Sequence, residues 1–368
     1  MAKTAFGVNH SLSNKVWSKK LAAEAIRKTW IGKFIGKSES SLIVEKVDLK
    51  KDAGDKITCG LNFQLEQDGI QGDATLEGNE EALQFYNDNI FIDQLRFAVR
   101  VNGRMTEKRV PYNLREVARS RLSDLWAARM DEAFFNQICG DVNKTDTKRT
   151  GNQATIAAST NRIFRPNSRS NDETLVAGDE FSLELVDYAK ELAMTASTAA
   201  STGPLVRPIM VDGSEMYVMF LHDYQVVDLR TNTSTGQWLD IQKAAMSGGD
   251  VSNSPIFSGA LGVYNGVVLH NSSRVTTGRD GGNSDEETDV RRAVLCGAQA
   301  ALIAFGGANS ASRMTWVEKT FDYNNQLGVA AGCIWGLKKT VYAPESGSTN
   351  QEDYGTIVVP TYAVAHTS

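Results

Sequence analysis

The sequence predicts an α+β chain in which a long two-stranded ribbon runs straight into one long helix. Three observations predict it. Residues 57–65 alternate apolar and polar side chains, with Ile57, Cys59, Leu61, Phe63 and Leu65 on one face of a strand. A second alternating run, Leu95, Phe97, Val99 and Val101, closes on the turn pair Asn102-Gly103. Residues 114–139 then change to helical spacing, with Leu114, Val117, Ala118, Leu122, Leu125, Trp126, Ala133, Phe134 and Ile138 as the apolar set. An isolated two-stranded ribbon is marginal in water. This one has too few apolar residues for a core of its own and no third strand nearby, so the chain reads as built to be finished by a neighbouring subunit.

The bulk properties exclude several classes. At 368 residues the chain has room for roughly two domains. It is 41% hydrophobic and 23% charged, ordinary for a globular protein. No run approaches the ~18 apolar residues of a membrane span. The start, MAKTAFGVNHSLSNKVW, lacks an apolar signal core, which predicts synthesis and folding in a cytosol. Cys59, Cys139, Cys296 and Cys333 form no C-x-x-C pair, and His10, His222, His270 and His366 are equally scattered. A zinc site needs clustered ligands, so reduced, packed thiols are expected instead.

Charge is uneven along the chain. Residues 1–51 carry eleven Lys/Arg and four Asp/Glu, a net +7, and the remainder carries −12, for −5 in total. A basic arm on an acidic body suits a polyanion or an acidic face on a neighbour; a solvated helix face is the plainer reading.

Taken in order, Ala22, Ile26, Trp30 and Phe34 fall at i, i+4 and predict a helix through residue 34. Lys15, Lys19, Lys20, Arg27, Lys28 and Lys33 cover much of the rest of the arm and are the candidates to face DNA. With no recognition motif, such contacts would be to phosphates and blind to sequence. Gly36-Lys37-Ser38 resembles half a P-loop, but Ile31 stands where the first glycine is required, so a helix end is expected there. The ribbon spans 55–110, with an acidic, glycine-bearing tip at 66–82 that opens on the turn pair Asp68-Gly69. Asp68, Asp73, Glu77, Glu80 and Glu81 at the tip, and Arg104, Lys108 and Arg109 on the return, are candidate contacts with another subunit.

Asn113, with Glu116 three residues on, marks the start of the long helix, and Gly140 marks its end. The rod is about 39 Å long, with Leu122, Trp126 and Phe134 as its core. Residues 141–178 read as a polar loop or insertion. A helix follows at about 181–200, with Phe181, Leu185, Tyr188 and Leu192 on one face. MYVMFL (216–221) reads as a buried strand, 222–230 as a short helix, and Tyr264-Asn265-Gly266-Val267 as a hairpin. Residues 278–289 form an acidic loop. Beyond it, small-residue segments mix with the strand-like MTWVEKTF and TIVVP.

No catalytic, metal or cofactor set emerges, and no cofactor is expected. There is no G-x-S-x-G and no H-E-x-x-H. Asp280, Asp285, Glu286, Glu287 and Asp289 depart from the order of an EF-hand loop. His222 opens a short helix, where capping or packing is the expected role.

The stretches GDATLEGNEEALQFYNDNIFIDQLRFAVRVNGRMTEKR (72–109) and LREVARSRLSDLWAARMDEAFFNQICG (114–140) resemble the major capsid proteins of tailed phages, in the set typified by coliphage N-four. So do LHDYQVVDLR (221–230), GALGVYNGVVL (259–269) and WVEKTFDYNNQLGVAAGCIWGLKK (316–339). The resemblance implies the Hong Kong 97 capsid fold. Residues 1–50 would be an N-terminal arm and 51–111 the extended β-hairpin loop. A peripheral domain would run from 112 to 200, with the spine helix at 112–140 and the polar insertion at 141–178. Residues 201–290 would form the axial domain, and 291–368 would close the peripheral domain.

By the same resemblance, the subunit would form pentamers and hexamers of an icosahedral shell around double-stranded DNA, assembled in a host bacterial cytoplasm. Its partners would be itself, a portal, a separate scaffolding protein, a cement or decoration protein and the packaged DNA, with no membrane. The chain starts almost at once with the arm, so the scaffold is expected to be separate or not needed. Lys56 and Lys108 lie near the ribbon, but no acceptor is evident, so no cross-link is assumed. The alternatives are an encapsulin-like nanocompartment shell and, from another class, a metal-dependent hydrolase using Asp285 or Glu286.

Overall fold

The arm helix stops before its apolar stripe does. In the computed structural model, α1 spans Ser11–Lys28 and buries Leu21, Ala22 and Ala25. Thr29 then turns extended, its hydroxyl donating to Ala25 O at 2.7 Å, and Trp30–Phe34 form a separate 3-10 turn. Asp131 fixes that turn by accepting the N–H groups of Trp30 and Ile31 at 3.2 and 3.1 Å. The expected continuous Ala22–Ile26–Trp30–Phe34 helix is therefore two pieces, because a buried carboxylate captures the backbone between them. Gly36, expected at a helix end, lies in β1 (Ile35–Gly36), which pairs in parallel with β2 (Ile43–Lys46).

The structure describes residues 11–46 (11–19 as backbone only), 54–62, 69–72, 75, 77–78, 80, 85–109, 111, 113–195, 205–211, 213–231, 260–279, 286–307, 313–343 and 351–366. Expectations at Phe63, Leu65, Asp68, Asp73, Glu81, Asp280 and Asp285, and for the side chains of Lys15 and Lys19, lie outside these residues.

The ribbon exists, but its return strand is a different one. β3 (Lys56–Asn62) pairs antiparallel with β4 (Phe85–Phe91), Lys56 opposite Phe91 and Asn62 opposite Phe85. The run that looked like the return is β5 (Asp93–Arg100), and it joins the body sheet. Asn87, Asp88 and Asn89 hid the true return strand, since they interrupt its apolar pattern. The ribbon root is also not bare. Ile57, Cys59 and Ile90 pack with Val44, Leu302 and Ala304, and Leu61 packs with Tyr342 and Tyr354. The support expected from a neighbour is supplied here by the chain itself.

Gly103, at φ 101°, passes the chain into a short helix, α2 (Arg104–Arg109). The long helix α3 follows at Leu114–Cys139. The Asn113 side chain accepts the N–H of Arg115, and Gly140 closes the helix in the left-handed region, its N–H directed at Asn136 O and Gln137 O. Leu122, Trp126 and Phe134 are all buried. From Met130 onward polar residues are buried too: the side-chain amides of Asn136 and Gln137 donate to Arg149 O and Thr150 O, holding α4 (Thr147–Thr150) against the helix.

The polar segment 141–178 is loop broken by α4 and three 3-10 turns, and it is packed. Asp172 sits in its middle, fully buried between Arg165 and Arg292. The next helix, α5 (Leu183–Thr195), starts two residues later than expected and buries Leu183, Leu185, Val186, Ala189 and Ala193, leaving Tyr188 exposed; the expected end at about residue 200 lies outside the described residues. β6 (Ile209–Val211), β7 (Ser214–Leu221) and α6 (Asp223–Thr231) come next, then the hairpin β8 (Gly262–Tyr264) and β9 (Val267–Asn271). Asn265 and Gly266 take φ 44° and 73° at its turn, as two-residue hairpin loops require. β10 (Thr277–Arg279) and β11 (Glu286–Cys296) follow, so Glu286, Glu287 and Asp289 of the expected acidic loop are strand residues.

β12 (Ala301–Gly306), β13 (Met314–Phe321), β14 (Gln326–Lys339), β15 (Val341–Tyr342), β16 (Glu352–Asp353) and β17 (Thr356–Tyr362) complete the chain. One sheet has the order β1-β2-β12-β14-β13, with β5 also on β14. The other has the order β10-β11-β7-β9-β8, with β17 on β11 and β6 on β7. The expected boundary at residue 290 falls inside β11, whose pairing with β17 begins there.

One apolar cluster joins α1, α3 and both sheets; a second lies around α5 and α6 on the seven-stranded sheet. Trp126 stands at the centre of the first, edge-on to Phe97 at 5.2 Å and to Trp335 at 6.3 Å. Trp126→Ala is expected to cost about 3–5 kcal/mol of unfolding free energy, measured by urea denaturation of the unassembled subunit.

Candidate assembly surfaces

Among the described residues, no three His, Cys, Asp or Glu side chains come together as metal ligands. All four cysteines are buried. Burial pushes the Cys333 thiol up to about 12 and raises those of Cys296 and Cys139 as well. Thiols held protonated in this way are poor nucleophiles. His222 is a helix cap: its Nδ1 accepts the N–H of Tyr224 at 3.2 Å, and its own N–H donates to Gln225 Oε1 at 2.8 Å.

The arm is partly spent inside the chain. Lys28 pairs with Glu24 at 2.9 Å and with Asp124 on α3 at 2.8 Å, and these contacts raise its pKa. Lys33 lies over the Trp30 ring at 4.6 Å and the Phe34 ring at 5.0 Å, and burial lowers its pKa. Lys20 and Arg27 are exposed. Of the described candidates for DNA contact, these two are best placed.

The ribbon is clamped at its root. Asp88 on β4 pairs with Lys338 on β14, and its other oxygen accepts the Val341 N–H at 3.1 Å. Lys338 also donates to Asn89 O at 3.3 Å. Both side chains are buried, so the pair fixes where the ribbon leaves the body; removing one partner would strand a buried charge. Glu77 and Glu80 of the tip are exposed, as are Arg104, Lys108 and Arg109 on α2. The structure does not bring these two groups together within the chain.

A basic face that the sequence reading missed lies on the six-stranded sheet. Register sets Arg96, Gly332 and Thr315 in one row, Ala98, Ala330 and Val317 in the next, and Arg100, Gly328 and Lys319 in a third. The glycines let flanking side chains lie across the middle strand. A Cβ at Gly328 would sit 2.7 Å from the Phe321 ring, and one at Gly332 would sit 2.9 Å from Thr315 Oγ1. Arg100 stacks over Phe321 at 4.3 Å and Lys319 approaches the same ring at 5.2 Å. The opposite side of β5 carries Phe97 into the core. The period-two pattern signalled the buried side only; the basic side depends on pairing with strands more than 200 residues away.

The chain thus presents a ribbon carrying exposed charge, a basic sheet face and one long buried helix. A model of the phage capsid protein family matches residues 5–365, and the chain belongs to that family. It is 29% identical to the major capsid protein of Pseudomonas phage KPP25, over 94% of this chain and 93% of that one. It is also similar to the capsid of Ralstonia phage GP4, at TM-score 0.79 and 32% identity over the whole of both chains. The cyanophage Pam1 capsid shares the fold, at TM-score 0.67 and 22% identity over 98% of this chain and 99% of that one. The protein is a major capsid protein of a tailed phage with the Hong Kong 97 type of fold, and so a virion component. These relatives do not favour the nanocompartment or hydrolase alternatives.

The His222 cap gives this surface a pH signature. Burial, aided by Arg291 and opposed by Asp223, lowers its pKa from 6.5 to about 4. A depressed folded pKa means that the unfolded chain binds the proton more readily. The contribution is full above pH 6.5 and is lost as pH falls toward 4. Unfolding free energy is expected to drop by on the order of 2–3 kcal/mol over that window. His222→Asn, which keeps a cap acceptor, should flatten the slope; denaturant melts at stepped pH check this.

Proposed function

We propose that the subunit closes into pentamers and hexamers that tile an icosahedral shell around packaged double-stranded DNA. The observation that carries this reading is the end-to-end likeness to a phage capsid at 32% identity, joined to a ribbon whose acidic tip meets no basic partner of its own among the described residues. The tip, with Glu77 and Glu80, would dock on the Arg96, Arg100 and Lys319 face of an adjacent copy. Arg104, Lys108 and Arg109 on α2 would face another neighbour.

In this reading the seven-stranded sheet with α5 and α6 is the axial domain. The six-stranded sheet with α3 is the peripheral domain. The role is structural rather than catalytic. Lys15, Lys19, Lys20 and Arg27 would contact phosphates of the packaged DNA. Assembly in the host cytoplasm, a portal, a separate scaffold and a decoration protein are further parts of the proposal.

Deleting residues 68–82 is expected to leave the subunit folded and unable to form shells. Circular dichroism and negative-stain electron microscopy of the same preparation test this. Unfolding of the deletion variant would return the tip to the intrachain core, and intact shells would remove it from the interface. Neutralising Lys20 and Arg27 together should weaken retention of DNA fragments and shallow its dependence on salt. An unchanged salt response would take the arm away from DNA.

A further inference from the structure

A cleft of about 640 Å³ opens between the loop at 164–182, α5, α6 and the chain's last described residues. Three carboxylates line it: Glu180, Glu184 and Asp228. Among the described residues that line it, His366 is the one basic side chain. Glu180 accepts the Gly178 N–H at 2.9 Å, and Glu184 accepts the Tyr188 hydroxyl at 2.5 Å. Neither has a cationic partner among the described residues.

Asp228 is the telling group. Its side chain is 9% exposed, and Oδ1 is 3.2 Å from His366 Nε2. Its second oxygen, Oδ2, is buried and has no hydrogen-bond partner among the described residues. A buried carboxylate oxygen without a donor is costly, and native structures supply one. Burial pushes the Asp228 pKa up to about 6; Glu180 adds to the rise and His366 opposes it. The group is short of positive charge. Phe164 and Tyr188, with ring centroids 5.5 Å apart, supply an aromatic wall on the same cleft, a surface on which a flat cation stacks.

We propose that this cleft is a binding site for a guanidinium or ammonium group, filled in the shell by an Arg or Lys side chain of a second copy of this chain. Charge favours a second copy as the source. The chain outside its first 51 residues carries −12 and the arm carries +7, so identical copies hold complementary surfaces. The His366 imidazole occupies Oδ1 in the single chain, and the incoming cation adds positive charge beside Asp228, Glu180 and Glu184.

The inference rests on the shell-forming reading, and the two are tested separately. Agmatine, a small guanidinium with an ammonium tail, is titrated calorimetrically into unassembled subunits and into shells of the same protein, with micrographs confirming each state. Saturable binding to subunits, at least tenfold weaker in Asp228→Asn and in Glu184→Gln, and absent in shells, is the expected result. Melting curves show that each variant is folded. No binding to subunits, or equal binding by both variants, overturns the site. Equal binding by subunits and shells overturns the second copy as its occupant. If no shells form at all, the shell reading fails, and an open, agmatine-binding subunit then removes the second copy from this site as well.

Discussion

A helix buried along more than half its length has little water for the polar groups it carries inward, and most of them must find partners in the protein. That constraint organises this molecule. From Met130 onward α3 has almost no solvent face. Its polar residues there serve as clips for other segments. Asp131 takes two backbone N–H groups of the arm turn, Asn136 and Gln137 take the carbonyls of α4, and the carbonyl of Cys139 accepts from Arg292 on β11. Arm, loop and seven-stranded sheet are thus hung on one helix by hydrogen bonds that have no water to fall back on. Burial also raises the pKa of Asp131, with the two backbone donors opposing the rise. Those donors compensate the carboxylate and in turn decide where α1 stops.

The same logic recurs at the buried ion pairs. Asp172 joins a polar loop to β11 through Arg292, with Arg165 of the same loop on its other oxygen, and Lys339 pairs with Asp353 at 2.6 Å with neither side chain exposed. Such pairs contribute little net stability against apolar replacements. What they supply here is location: each ties a segment that has few apolar residues to a defined place on a sheet. Residues 141–178 look like an insertion by composition, yet buried pairs and side-chain amides tie them to the body.

Much of this was legible along the chain because it depends on near neighbours. The limits of α3, its caps at Asn113 and Gly140, the hairpin at Asn265-Gly266 and the capping role of His222 are all settled within a few residues. The resemblance to capsid proteins rested on the order of such local motifs. Pairing choices were not legible. β5 seeks β14, more than 220 residues on, and nothing near Leu95 says so. β12 and β14 are rich in glycine and alanine, which have weak strand preference; their strands form because close-packed neighbours cover them. β4 was hidden by three consecutive polar residues, one of which, Asp88, anchors the ribbon. The basic sheet face could be found only after register was known, and the cleft at Asp228 only after α5, α6 and the C-terminal segment were set side by side.

The clamp between Asp88 and Lys338 has a mechanical meaning. A tug on the distal ribbon enters the body at β14, the strand that β5, β12 and β13 all share. Force applied there is spread sideways over three ladders of backbone hydrogen bonds, loaded together. A protrusion rooted in the most widely connected strand can bear tension without peeling, so traction from outside is met by the whole sheet and not by the loop that receives it.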